Sequence, residues 1–231
     1  MFFNFTFRHY LTKPQNLANE LQSSTIRGYK SRLALVFLAG FLLFGLRSIW
    51  GVNTESLTPI IATTSTADFT LARFASLLGS LLWSAIYISF HLFGVAFLLS
   101  YLIGIPFKKL LPMQLLMTGL LLIEKALVFL VFVMRGETTG VSFLSFGPLA
   151  ATFLESPLFI IFLNQITLTT ILIIAFQFKF IRRYSDIVQR QRLVWLLIGL
   201  HLLMAIITTS ISFIPAESLF ETITGGGVGN E

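Results

Sequence analysis

Residues 112–134 read PMQLLMTGLLLIEKALVFLVFVM. A bilayer crossing takes about 20 mostly apolar residues, and this run is long enough. Its only charges are the adjacent Glu124 and Lys125. At about 1.5 Å of rise per residue, Glu124 lies roughly 18 Å from the start of the run. Ionisable groups at that depth face a bundle interior and are paired. The two side chains point about 100° apart around a helix, so they do not answer each other simply. Their helical neighbours Leu120, Leu121, Leu122, Val128 and Phe129 are apolar. Their partners therefore have to come from other helices.

Four further runs have the length of a span: Leu33–Trp50, Phe74–Gly104, Pro157–Phe178 and Leu193–Ile214. The 231 residues are 55% hydrophobic and 11% charged, with a mean hydropathy of +0.86. Soluble domains carry about 25% charged residues. The expectation is an all-α integral membrane protein with five transmembrane helices. Helices are favoured because backbone polar groups in lipid must be satisfied within the segment. Continuous apolar runs also lack the alternation of barrel strands. The first run follows a long polar lead with no small-residue cleavage site, so it reads as a retained span.

Basic residues orient the spans. Arg8, Lys13, Arg27, Lys30, Arg32, Lys108, Lys109, Lys179, Arg182, Arg183, Arg190 and Arg192 fall on one side, and Arg47, Arg73 and Arg135 on the other. The positive-inside rule predicts a cytoplasmic N-terminus and an external C-terminus in the cell membrane. The basic loop 179–192 then faces the anionic inner leaflet, and lipid is the first partner of the chain. The domain expectation is a cytoplasmic segment over 1–32, a membrane domain over 33–214, and an external flexible tail over 215–231.

In the N-terminal segment, Pro14 suits a first helical turn, and Leu17 and Leu21 share a face. That predicts an interfacial helix on the inner membrane surface, the alternative being an unstructured tail. In the external loop 135–156, Pro148 is suited to start a short helix, which either caps the bundle or belongs to a re-entrant loop. No internal repeat is visible.

The chemistry is narrow. There is no cysteine, no phosphate-binding loop, no dinucleotide fingerprint, and no zinc-protease or serine-hydrolase motif. The two aspartates, Asp68 and Asp186, lie in loops on opposite sides. No enzyme, cofactor or metal site is expected, and the position of the charges makes nucleic acid an unneeded partner. What remains is an intramembrane polar cluster: His91, Glu124, Lys125, Asn164, Gln165 and His201, placed by helical rise near one depth. Three roles compete for it: helix assembly, a proton or solute pathway titrating at Glu124, and contact with another subunit. Ser76, Ser80 and Ser84 form a small-residue stripe for close helix packing. Thr167, Thr170, Thr208 and Ser212 are suited to hydrogen bonds across helices or back to their own carbonyls.

The layout resembles the Yip-domain membrane family. The residues behind the likeness are HYLTKPQNLANEL before the first span, and TESLTPIIATTSTADFTLARFASLLGSLLW, which is similar to bacterial members. The short eukaryotic aspartate-leucine-x-glycine-proline signature is absent. Among bacterial members the chain looks most like the bacillus component that accompanies an ABC exporter giving resistance to a secreted toxin. The resemblance implies a non-enzymatic subunit or assembly factor, with permease and ATPase subunits as partners. The alternative from the residues themselves is a secondary or proton-coupled transporter using Glu124.

Overall fold

The computed structural model describes residues 2–4, 6–52, 65–136, 141–185 and 189–213. The tail 215–231, the N-terminal part of TESLTPIIATTSTADF and Asp186 lie outside the described residues. The fold is all-α apart from two three-residue strands. In chain order the elements are β1 (Phe2–Asn4), α1 (Phe7–Thr12), α2 (Pro14–Ser23), β2 (Thr25–Arg27), α3 (Tyr29–Trp50) and α4 (Thr66–Ser89). A π-helical turn (Phe90–Gly94) then joins α4 to α5 (Val95–Ile103), and α6 (Phe107–Arg135), α7 (Gly147–Phe153), α8 (Pro157–Asn164), α9 (Leu168–Tyr184) and α10 (Arg190–Ser212) follow.

Among the described residues, four helices are long and apolar enough to cross a membrane: Tyr29–Trp50, Phe69–Ile103, Phe107–Arg135 and Arg190–Ser212. Their apolar side chains largely face outward, among them Leu38, Leu42, Leu82, Phe97, Leu130 and Ile206. An apolar surface this extensive suits lipid and not water. Pro112 does not open its span. It sits one turn inside α6, which begins at Phe107 behind Pro106.

Residues 157–178 behave differently from the expected single span. The helix stops at Asn164 and restarts at Leu168, so α8 has 8 residues and α9 has 17. Thr167 takes an extended conformation and caps α9. Its Oγ1 accepts from the Thr170 backbone N–H at 3.1 Å, and its own N–H donates to Thr170 Oγ1 at 3.3 Å. Threonine and asparagine offer the backbone such local alternatives to helix, and here they prevail. The freed backbone groups are recovered by the preceding loop. Phe146 N donates to Ile166 O at 3.1 Å, and Leu168 N donates to Leu144 O at 3.0 Å. Ser145 and Thr167 form an antiparallel bridge. Asn164 Oδ1 accepts from Ser142 N and Ser145 Oγ.

This pairing sets the depth of the loop. The Phe143 ring meets Phe132 of α6 edge-on at 6.5 Å, so the loop lies against the last turn of α6. Helix α7 follows the loop, and α8, the break and α9 come after it.

At the other end of the bundle the N-terminal residues form a folded module. Phe2–Asn4 pairs in parallel with Thr25–Arg27. Helix α2 buries Leu17, Ala18 and Leu21 and packs on α9. Its expected apolar face exists, but it covers protein as well as facing the basic end of the bundle. Gln22 Nε2 donates to Tyr184 O at 2.7 Å, Arg183 Nε donates to Asn19 Oδ1 at 2.6 Å, and Lys109 Nζ donates to Leu21 O. Tyr10 donates its hydroxyl to Glu20, and burial followed by that bond pushes the phenol pKa up. These contacts gather the two basic loops and the N-terminal module at one end, opposite Arg47, Arg73 and Arg135.

The serine stripe marks a close approach of α3 and α4. Ser84 is fully buried on α4, and a Cβ placed on Gly40 of α3 would lie 3.3 Å from its Oγ. Ser80 Oγ donates to Phe44 O at 3.4 Å, while Ser76, one turn nearer Arg73, is half-buried. Arg73 donates to Ser48 O and Ile49 O, closing the C-terminal end of α3 with a cation where the helix dipole favours one.

Candidate functional site

Helices α3, α4, α6, α8, α9 and α10 line a partly open cavity of about 580 Å³. All six residues of the intramembrane polar cluster line it: His91, Glu124, Lys125, Asn164, Gln165 and His201. Glu124 is buried, and its Oε2 accepts from Thr167 Oγ1 at 3.0 Å. Its partner thus comes from another helix, as its apolar neighbours required, but that partner is the residue capping the broken helix. The carboxylate sits at the N-terminal end of α9, where free N–H groups and the helix dipole favour a negative charge.

Lys125 points elsewhere. Its Nζ lies 4.9 Å from the centroid of the Tyr87 ring, a cation–π distance. Tyr87 in turn lies 5.7 Å from Phe44, and the Arg47 guanidinium carbon sits 5.6 Å from the Phe44 ring centroid. Two cations therefore bracket a pair of rings at one wall. Neither the Arg47 guanidinium nor the Lys125 ammonium has a hydrogen-bond or ion-pair partner among the described residues.

The histidines share one arrangement. His91 Nδ1 lies 2.9 Å from Tyr87 O, and His201 Nδ1 lies 2.9 Å from Leu197 O. A backbone carbonyl only accepts, so Nδ1 carries the proton in each ring and Nε2 is left for another partner. His91 also lies in the π-helical turn, where Val95 N–H bonds to Phe90 O, five residues back. Such turns recur at functional sites because they rotate a side chain out of the regular helical register. Asn164 is committed to the loop, and Gln165 Nε2 reaches only Ile161 O at 3.5 Å. Glu124 is bonded by Thr167 and by neither of these two.

Several residues of the site carry weaker sequence signals. Arg47 counts in the sequence only as an orienting charge near a span end, yet it lines the cavity. Gln114 also lines it, about 15 Å along α6 from Glu124, and accepts from Gln177 Nε2 of α9 at 3.3 Å. Both glutamines are buried. Their signal was a polar residue in an otherwise apolar run, weaker than a charge. Among the described residues no group of three or more His, Asp or Glu is placed to hold a metal ion.

The arrangement resembles a binding chamber more than a packing contact. It has apolar walls, a few convergent polar groups, a volume in the range of small-molecule sites, and irregular backbone at mid-depth. The chain matches no protein-family model, no curated protein and no solved structure.

Proposed function

We propose that this chain is a multi-pass membrane protein that binds a small solute in the α6–α9 cavity and moves it across the cell membrane, with Glu124 as the gating and titrating group. The observation that carries this reading is the helix broken at Gln165–Thr167 with its capping threonine bonded to Glu124. Discontinuous helices that place half-helix ends at mid-depth are the way secondary carriers build substrate and ion sites. A purely structural span has no need to break its hydrogen-bond ladder in lipid.

On this reading α8 and α9 together make the fifth crossing, because the chain leaves α6 at the Arg135 end and returns to the basic end at Tyr184. The N-terminal module is then cytoplasmic by the positive-inside rule. The Glu124–Thr167 bond supplies a two-state element. With the carboxylate ionised, Thr167 and the start of α9 are held to α6. Protonation or a competing ligand weakens that hold and lets α9 move against α6.

Purified protein in liposomes tests the proposal. A panel of small organic acids, amines and neutral compounds, followed by mass spectrometry, should reveal a pH-dependent flux that Glu124→Gln abolishes while the variant still purifies as a folded species. Absence of flux for every class, together with recovery of permease and ATPase subunits in a mild-detergent pull-down, would overturn it. That result would favour the exporter-accessory role that the Yip-domain resemblance implies.

A further inference from the structure

We infer that the cavity binds an amphipathic monoanion, with its charged head at the wall that carries Arg47 and Lys125 and its apolar body against Trp83, Phe129 and Phe132. The inference rests on the solute-binding reading above and adds the class of solute. The argument is one of charge and shape.

Among the described lining residues, the formal charges are Arg47 and Lys125 against Glu124 alone, with the imidazoles counted as neutral. The three charges are not equally satisfied. Glu124 has the Thr167 hydroxyl and the N-terminal end of α9. The two cations lie against the faces of Tyr87 and Phe44, and their donors find no hydrogen-bond acceptor among the described residues. A ring face is a weak answer to a full charge, and it leaves the N–H donors of both groups without an acceptor. The excess positive charge is therefore the unsatisfied feature of the chamber, and an anion satisfies it. Arg47 brings a planar fork that matches a carboxylate or sulfonate edge, and Lys125 brings a point charge.

The rest of the wall decides the body of the ligand. Trp83, Phe129, Phe132, Val128 and Ile207 are apolar and line the same cavity. An inorganic anion would leave that surface to water, whereas a six-carbon chain or a single ring covers it. A zwitterion would bring an ammonium group that the site answers poorly. Glu124 is already held, and the other lining charges repel it.

Binding in lipid nanodiscs with the full-length protein tests this directly. Isothermal calorimetry with hexanoate and hexanesulfonate should give saturable binding. Hexanamide and hexylamine share the body but lack the negative head, and should bind at least about tenfold more weakly, the usual worth of a charge-assisted hydrogen bond. Arg47→Gln and Lys125→Gln should each weaken the two anions by about the same factor. Arg47→Lys and Lys125→Arg keep the charge and should retain most of the binding, which separates lost charge from lost folding.

Equal or tighter binding of hexanamide or hexylamine overturns the inference without reference to any variant. So does anion binding that survives both glutamine variants. The two proposals fail separately. Saturable hexanesulfonate binding with no liposome flux of that ion, which does not cross lipid unaided, leaves the site and removes transport. Glu124-dependent flux of an amine instead leaves transport and removes the anion site.

Discussion

Two helix pairs in this molecule carry polar residues into apolar surroundings and use them in opposite ways. Between α3 and α4, glycine and serine remove side-chain volume. Gly40 and Ser84 let two unbroken helices approach until a Cβ at Gly40 would collide with Ile88 Cδ1. Between α6 and α9, threonine and glutamate add hydrogen bonds, and one helix is broken to make them. The first pair brings side chains into direct contact at its seam. The second forms part of the wall of the cavity of about 580 Å³. A polar residue in a membrane helix is therefore not one signal. Small residues at a four-residue spacing predict packing, whereas residues that compete for the backbone beside an ionisable partner predict an interruption.

Overfilling the tight seam is the severest test of that contrast. Gly40→Leu forces side-chain atoms into the space now held by Ile88 and Ser84. Overpacking of this kind costs about 1–3 kcal/mol and sometimes more. Thermal unfolding in mild detergent should show the loss, and Ile88→Ala added to Gly40→Leu should restore part of it. If Gly40→Leu is tolerated without change, α3 and α4 are not held by close approach, and the comparison collapses on that side.

The break should respond more gently to stability assays and more strongly to functional ones. Thr167→Val keeps the shape but removes the α9 cap and the donor to Glu124. A lost cap costs about 1 kcal/mol, and a carboxylate deprived of its buried donor adds about as much. Thr167→Ser keeps both bonds and should behave like the parent chain. The same pair should separate in liposome flux, with the valine variant impaired beyond its loss of stability. Equal flux from the two would reduce Thr167 to a helix cap and sever the link between the break and the proposed function.

The contrast also explains which parts were legible in the sequence. The four long helices are visible as apolar runs, because the rule behind them needs only length and composition. The polar cluster is visible as well, since charge at depth is expensive wherever it occurs. The break is hidden because Phe159, Ile160, Ile161 and Phe162 before it and Ile171, Leu172, Ile173 and Ile174 after it keep the hydropathy high. Only Asn164, Gln165 and Thr167 mark the spot, and they look the same as residues that hydrogen-bond across an intact helix. The π-helical turn is hidden more deeply. FHLFG has nothing in its composition to distinguish it from another helical turn. The depth of loop 142–146 depends on its pairing with residues 166–168, a tertiary contact that neither segment encodes alone. The same holds for α2. Its apolar face was readable, but whether it covers lipid or protein depends on Tyr184, Arg183 and Lys109 being brought beneath it.

The smallest effect is the most discriminating for the tight seam. Ser84 is fully buried, yet its hydroxyl has no hydrogen-bond partner among the described residues. If serine stripes work as hydrogen-bonding glue, Ser84→Ala should destabilise the α3–α4 pair. If they work by being small, alanine serves as well and removes an unsatisfied buried hydroxyl, whose burial carries a penalty. The expected outcome is a shift within about 0.5 kcal/mol of zero, on the stabilising side. Ser80 supplies the internal control, because its hydroxyl does donate, at 3.4 Å, to Phe44 O. That bond is long and therefore weak, so Ser80→Ala should cost slightly more than Ser84→Ala but still less than the loss of the Thr167 cap. Should Ser84→Ala prove the more damaging of the two, hydrogen bonding and not volume would hold the seam, and the two regions would differ in degree instead of in kind.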